Sequence, residues 1–291
     1  MEKILTADGS YTCRHPGYME NYHAKEGARA EAFAKFVRPG RLADRLRAGP
    51  VRLLDVGFGL GVNARAAIEV ARETGAHFLH IDSVEADHQA LTRARTLNPD
   101  CPVLSSLENT GQWREPFAEI HLYNTDIREV GLTLPGDFDL IFHDPFSPMK
   151  NTECWTVELF AHFKTLLRAD GMLLTYAEAD AIRAGLFQAG FSVGLTPPAP
   201  PHRGGTLAVP LPAQAPDPLD PEPFTHPPKN IAYHDFTLKE DGKTIRARRE
   251  AQVRTLASAE EEGSANRRIG GAKGEIGGKA NAEHRTSNIE R

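Results

Sequence analysis

The stretch Val51-Arg52-Leu53-Leu54-Asp55-Val56-Gly57-Phe58-Gly59-Leu60-Gly61-Val62-Asn63 decides how this chain is read. A mostly apolar run meets three glycines at alternate positions, and a helical pattern follows from Ala64 to Arg72. Buried strand, tight turn and helix make the opening unit of a doubly wound α/β sheet. Glycine lets the backbone turn sharply and approach a neighbour with no Cβ in the way. The spacing Gly-x-Gly-x-Gly departs from the Gly-x-Gly-x-x-Gly of dinucleotide binders.

A second stretch, Phe142-His143-Asp144-Pro145-Phe146-Ser147-Pro148-Met149-Lys150-Asn151 with Trp155 beyond it, follows the apolar run Phe138-Asp139-Leu140-Ile141. That run reads as a buried parallel strand. An Asp at its carboxyl end sits where open α/β sheets bind their ligands. Two prolines stiffen the exit loop, so Asp144 and Asn151 are presented on a fixed frame. An ordinary strand-ending turn remains an open alternative for this segment alone, since Asp-Pro and Ser-Pro are common turn formers.

The strand expected over His77 to Glu85 ends in an acid that lies 24 residues past Gly61. This is close to the roughly 20-residue interval at which an acid pairs with ribose hydroxyls. Asp82 and Asp87 compete for that role and rank lower. A further strand, Ala118 to Tyr123, is followed by Asn124-Thr125-Asp126. Asp126 is placed to accept from an adenine amino group, with a plain turn Asp as the alternative.

These residues bring a family into view. The chain resembles the MnmC-like methyltransferase domain in its glycine loop ending Gly61-Val62-Asn63 and in the run from Asp144 to Asn151. Trp155, Leu159-Phe160, Gly171, Leu173-Leu174-Thr175-Tyr176, Ile182-Arg183, Leu186 and Ala189-Gly190-Phe191 continue the likeness. Near the start, Thr6, Asp8-Gly9-Ser10, Thr12, Glu20, Tyr22-His23, Gly27-Ala28 and Glu31 look like the family's opening. The resemblance covers roughly residues 4 to 209. Where family members carry Lys-Arg before the last strand, this chain has His202-Arg203, and Tyr176-Ala177-Glu178-Ala179 replaces an aromatic followed by a small hydroxyl residue.

The resemblance implies a Rossmann-like class I fold, with a mostly parallel doubly wound sheet and a closing antiparallel strand. It implies S-adenosyl-L-methionine as cofactor, held by Asp55, Gly57, Phe58, Gly59, Gly61, Asn63, Glu85 and Asp126. The implied reaction is methyl transfer to the exocyclic amine of 5-aminomethyl-2-thiouridine at the tRNA wobble position, with Asp144 orienting the amine and favouring loss of its proton. An exposed Asp with a pKa near 4 is a weak base, so on this reading water takes the proton finally. Phe146, Trp155 or Tyr176 is expected to stack on a flipped uridine, with buried aromatic core the competing role. Lys150, Asn151 and Arg203 are the remaining substrate contacts. The larger bifunctional relatives fuse a flavin-dependent oxidase behind this domain, so a stand-alone methyltransferase with a separate oxidase upstream is expected.

Two other readings stay open. An aminopropyltransferase similar to spermidine synthase shares the sheet and the Asp of the fourth strand, but the Lys-Asn-x-x-x-Trp continuation and the lack of an evident acidic polyamine site argue against it. A non-catalytic RNA-binding protein on the same fold is disfavoured by the intact glycine loop and Glu85.

At 291 residues, 40% hydrophobic and 25% charged, the chain supports one good core plus appendages. No apolar run approaches the ~18 residues that span a bilayer, and the start, Met1 to Leu5, lacks a secretory signal's hydrophobic segment. A cytoplasmic location is expected. Cys13, Cys101 and Cys154 are scattered without a Cys-x-x-Cys pair, and the histidines show no metal-ligand spacing, so neither a disulfide nor a metal is assigned. A net charge of −5 is unusual for a protein that grips RNA, although its distribution matters more than the sum. Arginines and lysines cluster over residues 29–47 and 239–254. Twelve of the 21 prolines fall between Pro197 and Pro228, which makes 210–228 a stiff extended linker. The expected order is a methyltransferase domain over 1–209, that linker, an appendage over 229–257 with a short helix from Ile245 to Leu256, and a disordered tail over 258–291.

Overall fold

The computed structural model describes residues 2–212 and 215–274, with side-chain surroundings as far as 258. An N-terminal hairpin of β1 (Ile4–Leu5) and β2 (Tyr11–Thr12) precedes α1 (Ala28–Ala32), a π-helical turn (Phe33–Val37) and α2 (Leu42–Ala48). The main sheet is built from β3 (Val51–Val56), β4 (Leu79–Val84), β5 (Gln112–Glu115), β6 (Ala118–Tyr123), β7 (Phe138–His143), β8 (Leu167–Thr175), β9 (Ser192–Leu195) and β10 (Thr206–Val209). The spatial order is β5-β6-β4-β3-β7-β8-β10-β9. The five strands from β6 to β8 run parallel, while β5, β10 and β9 are antiparallel to their neighbours. This is the expected Rossmann-like doubly wound sheet with its closing antiparallel pair.

Alternating side chains of the central strands face two separate helical layers, as a sheet covered on both sides requires. Leu53, Leu140 and Phe142 pack with α1, α3 (Val62–Thr74) and α5 (Pro102–Thr110). Leu54, Ile141 and Leu173 pack on the other face with α7 (Val157–Leu166) and α8 (Asp180–Gln188). Every residue of β7 is buried, and Asp144 is the first residue past its end. The remaining helices are α4 (Ala90–Leu97), the short α6 (Ile127–Val130) and α9 (Gly242–Gly274).

Trp155 is fully buried, and its indole N–H donates to the Phe146 carbonyl at 2.9 Å. Its ring meets His143 edge-on at 4.7 Å between centroids. Truncating a buried Trp of this kind costs about 3–5 kcal/mol. Trp155 is thus a strut under the Asp144–Asn151 loop, which corrects its expected role as a stacking surface for a base. His143 itself has no hydrogen-bond partner at either ring nitrogen among the described residues. Burial among Trp155, Phe160 and Phe163 drives its pKa down to about 3 and keeps the imidazole neutral.

The C-terminal region departs from expectation. The first compact unit extends to Arg249, well past the expected boundary at 209, and the second begins at Glu250. The Pro-rich stretch is docked: Leu219 N–H donates to the Val193 carbonyl at 2.9 Å, and Phe224 packs on Phe187 at 5.1 Å. Ile231, Ala232 and Tyr233 are buried. Its described backbone is a run of bends and turns with a 3-10 turn at Glu222–Phe224, not the extended form expected of so many prolines, and the apolar residues spaced along it find uncovered surface beside β9, α7 and α8. The short helix expected over Ile245–Leu256 is part of the longer α9, and residues of the expected disordered tail are helical as far as Gly274. The rest of that tail lies outside the described residues.

Asp55, the penultimate residue of β3, is fully buried, and its Oδ2 accepts from the Ser83 hydroxyl at 2.8 Å. Its Oδ1 has no partner among the described residues. Burial raises its pKa to about 7, against about 3.9 when unfolded. Because the folded value is the higher one, the unfolded state sheds its proton first, and stability falls as pH rises between the two. The stability advantage of wild type over Asp55→Asn should therefore shrink by about 2–4 kcal/mol from pH 4 to 7 and level off above. Denaturant titrations of both proteins across that range check this; a constant difference contradicts it.

Candidate active site

The exits of the parallel strands define the site. The ladder runs one residue past each strand: Glu85 N–H bonds to the Tyr123 carbonyl at 3.0 Å, Gly57 to Val84 at 3.0 Å, and Asp144 to Val56 at 2.9 Å. Glu85, Gly57 and Asp144 are thereby held in one row along the carboxyl edge of the sheet. A cavity of about 480 Å³ opens over that edge. Its floor includes Gly57, Phe58, Gly59, Asn63, Glu85, Asp126 and Asp144, and Phe146, Asn151 and Tyr176 contribute further wall.

The three glycines all have positive φ: 86° at Gly57, 53° at Gly59 and 70° at Gly61. They serve different neighbours. A Cβ at Gly57 would stand 2.7 Å from the Asp144 carbonyl oxygen, so this glycine lets β3 and β7 exits touch. A Cβ at Gly61 would meet the Phe58 ring at 2.5 Å; Gly61 is a packing and helix-entry residue outside the cavity lining. Gly59 faces the cavity, with Tyr22 the nearest group at 3.1 Å from its absent Cβ. Asp55 also lies outside the lining, below the floor.

Asn63, in the first turn of α3, donates from Nδ2 to Asp144 Oδ2 at 2.7 Å. Burial raises the Asp144 pKa well above the ordinary value; the nearby Glu31 charge adds to this, and Asn63 and Lys35 partly offset it. The expectation of an exposed, weakly basic Asp is corrected on this ground. Glu85 accepts from Gly59 N–H at 2.7 Å and from Asp87 N–H at 2.8 Å, so it ties down the glycine turn. Its pKa is raised by burial, against the pull of those two amides. Asp126 accepts the Arg128 amide at 2.8 Å and pairs with the Arg128 guanidinium at 2.8 Å. Tyr176 donates its hydroxyl to the Pro145 carbonyl at 3.0 Å.

The other wall comes from the N-terminal segment, which the sequence offered no residue-level reason to place here. Tyr18, Glu20, Tyr22, His23 and Glu31 all line the cavity. Glu20 Oε1 accepts from the Ser147 hydroxyl at 2.7 Å, and Asp87 accepts from Arg93 and faces His15 at 3.0 Å. Tyr18 and Tyr22 lie 4.8 and 5.1 Å from the Phe146 ring. Lys35, in the π-helical turn, donates to the Gly204 carbonyl, and burial lowers its pKa. His23 is held neutral, its pKa driven by burial to about 4. Lys150 and Arg203 are exposed and outside the lining.

Seven carboxylates line the cavity: Glu20, Glu31, Glu85, Asp87, Asp126, Asp144 and Glu153. No Lys or Arg accompanies them among the described lining residues. The acidic wall missed in the sequence is therefore present; its members are far apart in the chain and meet only on folding. Such a lining repels phosphate and favours a cation. A positively charged sulfonium with an attached ribose and adenine suits it. Glu85 stands at the turn where ribose hydroxyls are expected, and Gly59 leaves the floor open. The residues present fit S-adenosyl-L-methionine.

Comparison with known proteins agrees. A family model described as S-adenosyl-L-methionine-dependent methyltransferase matches residues 102–210. The chain is 30% identical over 217 residues to the tRNA 5-methylaminomethyl-2-thiouridine biosynthesis bifunctional protein MnmC of Cupriavidus necator, covering 67% of this chain and 32% of that protein. An uncharacterized protein of Methanocaldococcus jannaschii is 29% identical over 70% of this chain and 58% of its own length. The chain thus spans about a third of the first of these relatives and less than two thirds of the second. The crystal structure of MNMC2 from Aquifex aeolicus superimposes with a TM-score of 0.74 at 28% identity, covering 87% of this chain and 85% of that one. Fold, cavity chemistry and relatives converge, and the chain belongs to the S-adenosyl-L-methionine-dependent methyltransferases of the MnmC type.

Proposed function

We propose that this chain transfers a methyl group to the exocyclic amine of 5-aminomethyl-2-thiouridine at the wobble position of tRNA. The observation that carries the reading is the acid-lined, aromatic-walled cavity centred on Asp144. The MnmC relatives are named for biosynthesis of the methylated nucleoside, and that name supplies the substrate. The same acidic wall suits an aminopropyl acceptor, but the family match is to methyltransferases.

When bound, S-adenosyl-L-methionine supplies an electrophilic methyl group on a sulfonium. Gly59, Glu85 and Asp126 hold it. The rest falls to the chain's own side chains. An alkylamine reaches the site mostly as an ammonium, drawn by the carboxylates of Glu20, Glu31 and Asp144. Inside, burial penalises the ammonium and the Asp144 carboxylate together, so the proton moves to Asp144 and leaves a neutral pair. The raised proton affinity of Asp144 makes it the base, and Asn63 fixes the carboxyl in place. Holding amine and methyl donor in attack geometry supplies most of the acceleration. Phe146 and Tyr176 are the rings left to stack on an extruded base, with Asn151 at the rim. Lys150 and Arg203, outside the cavity, are assigned to backbone phosphates.

Two outcomes test this. Gly59→Val, at a φ of 53°, should abolish binding of the methyl donor, and Glu85→Ala should weaken it by about 1–3 kcal/mol. Calorimetry on both variants, with melting curves as control, checks the cofactor site; unchanged affinity in both removes the assignment.

Asp144→Asn should leave donor affinity nearly unchanged while methylation of tRNA bearing 5-aminomethyl-2-thiouridine falls about a hundredfold or more. Raising pH should partly rescue the variant, because more amine is then neutral unaided. Wild-type turnover by the Asn variant from pH 6 to 9 makes Asp144 a turn residue only.

A further inference from the structure

The matched family segment ends at residue 210, yet residues beyond it reach back to the cavity. Arg128 is the link. Its guanidinium contacts Asp126 through Nε at 3.1 and 3.2 Å and through Nη2 at 2.8 Å. Its Nη1 donates to Asp235 Oδ2 at 3.0 Å and to the Glu240 carbonyl at 2.7 Å. Asp235 is fully buried, and its Oδ1 accepts the amides of Thr237, Lys239 and Glu240 at 3.2–3.3 Å. Its own N–H donates to Glu158 at 2.8 Å. One loop is thus wound around a single carboxylate, whose other oxygen holds one end of Arg128.

We infer that Asp235, acting through Arg128, is a positioning residue for the cofactor site: it aims the Asp126 carboxylate at the adenine amino group. This rests on the assignment of Asp126 to adenine. Asp126 needs no buried arginine merely to begin α6, because the Arg128 backbone amide already provides that bond. A partly buried guanidinium between two carboxylates adds little net stability, since desolvation offsets the attraction. What a planar, multiply bonded fork does supply is fixed direction. The same C-terminal segment braces a second part of the lining. Arg246 donates to the Thr152 hydroxyl at 2.6 Å, and Thr152 stands between the cavity residues Asn151 and Glu153.

The test is calorimetry with S-adenosylhomocysteine and with S-inosylhomocysteine, which lacks the adenine amine, on wild type, Asp126→Asn, Arg128→Lys and Asp235→Asn. Affinity for the adenosyl ligand should fall about tenfold in all three variants, the scale of a lost charge-assisted hydrogen bond, while affinity for the inosyl ligand changes less than twofold. In turnover, KM for the methyl donor should rise with kcat preserved within a few-fold for Arg128→Lys, which keeps the charge where Asp235→Asn risks misfolding. Equal loss for both ligands in Arg128→Lys and Asp235→Asn reduces the pair to scaffolding and overturns the inference. If Asp126→Asn itself fails to discriminate between the two ligands, the adenine assignment falls, and the positioning role falls with it.

Discussion

The structure depends on the contact between two strand exits. Gly57 and the Asp144 carbonyl stand so close that a Cβ on the glycine would lie 2.7 Å from the oxygen. No other residue type permits that approach at a φ of 86°. The contact continues the ladder of β3 and β7 past the sheet and sets the base of the proposed reaction beside the turn that receives the cofactor. Asn63, in the first turn of α3, then reaches Asp144. A single unit of backbone register therefore positions both halves of the site, and the aromatic packing of Trp155 beneath the loop keeps it there.

On that frame the N-terminal segment adds enclosure and charge. It contributes Glu20 and Glu31 to the lining, and its Tyr18 and Tyr22 rings close on Phe146. The result is a cavity whose walls are half apolar and whose charges share one sign. Like charges in such surroundings resist ionisation together, which is why burial and Glu31 both raise the Asp144 pKa. A cationic ligand relieves that conflict. The cavity thus suits a sulfonium, and the alkylamine of the proposed reaction, by the same electrostatics that make it costly when no cation is present.

Much of this was legible in the sequence because it is local. The strands over Ala118–Tyr123 and Thr206–Val209, the glycine turn and the Asp144 loop each announce themselves through periodicity or turn chemistry within a dozen residues. What escaped is non-local. Glu20 and Glu31 meet Asp144 only through the fold, so no spacing rule exposes the acidic wall. Trp155 carries the same signal whether it stacks on a ligand or supports a loop, and only its burial separates the two. Asp55 sits one residue from the turn, yet both faces of β3 are covered by helices, so its side chain is buried in the protein. The proline-rich stretch after 209 looks like a linker by composition, while a few apolar residues spaced along it suffice to dock it.

The most direct test of the account is a crystal structure of the protein with S-adenosylhomocysteine. The ribose hydroxyls should lie on the Glu85 carboxylate, with the adenine toward Asp126. The sulfur should face the space enclosed by Asp144, Phe146 and Tyr176. A ligand seated elsewhere, or one whose sulfur points away from Asp144, contradicts the assignment of this cavity to methyl transfer.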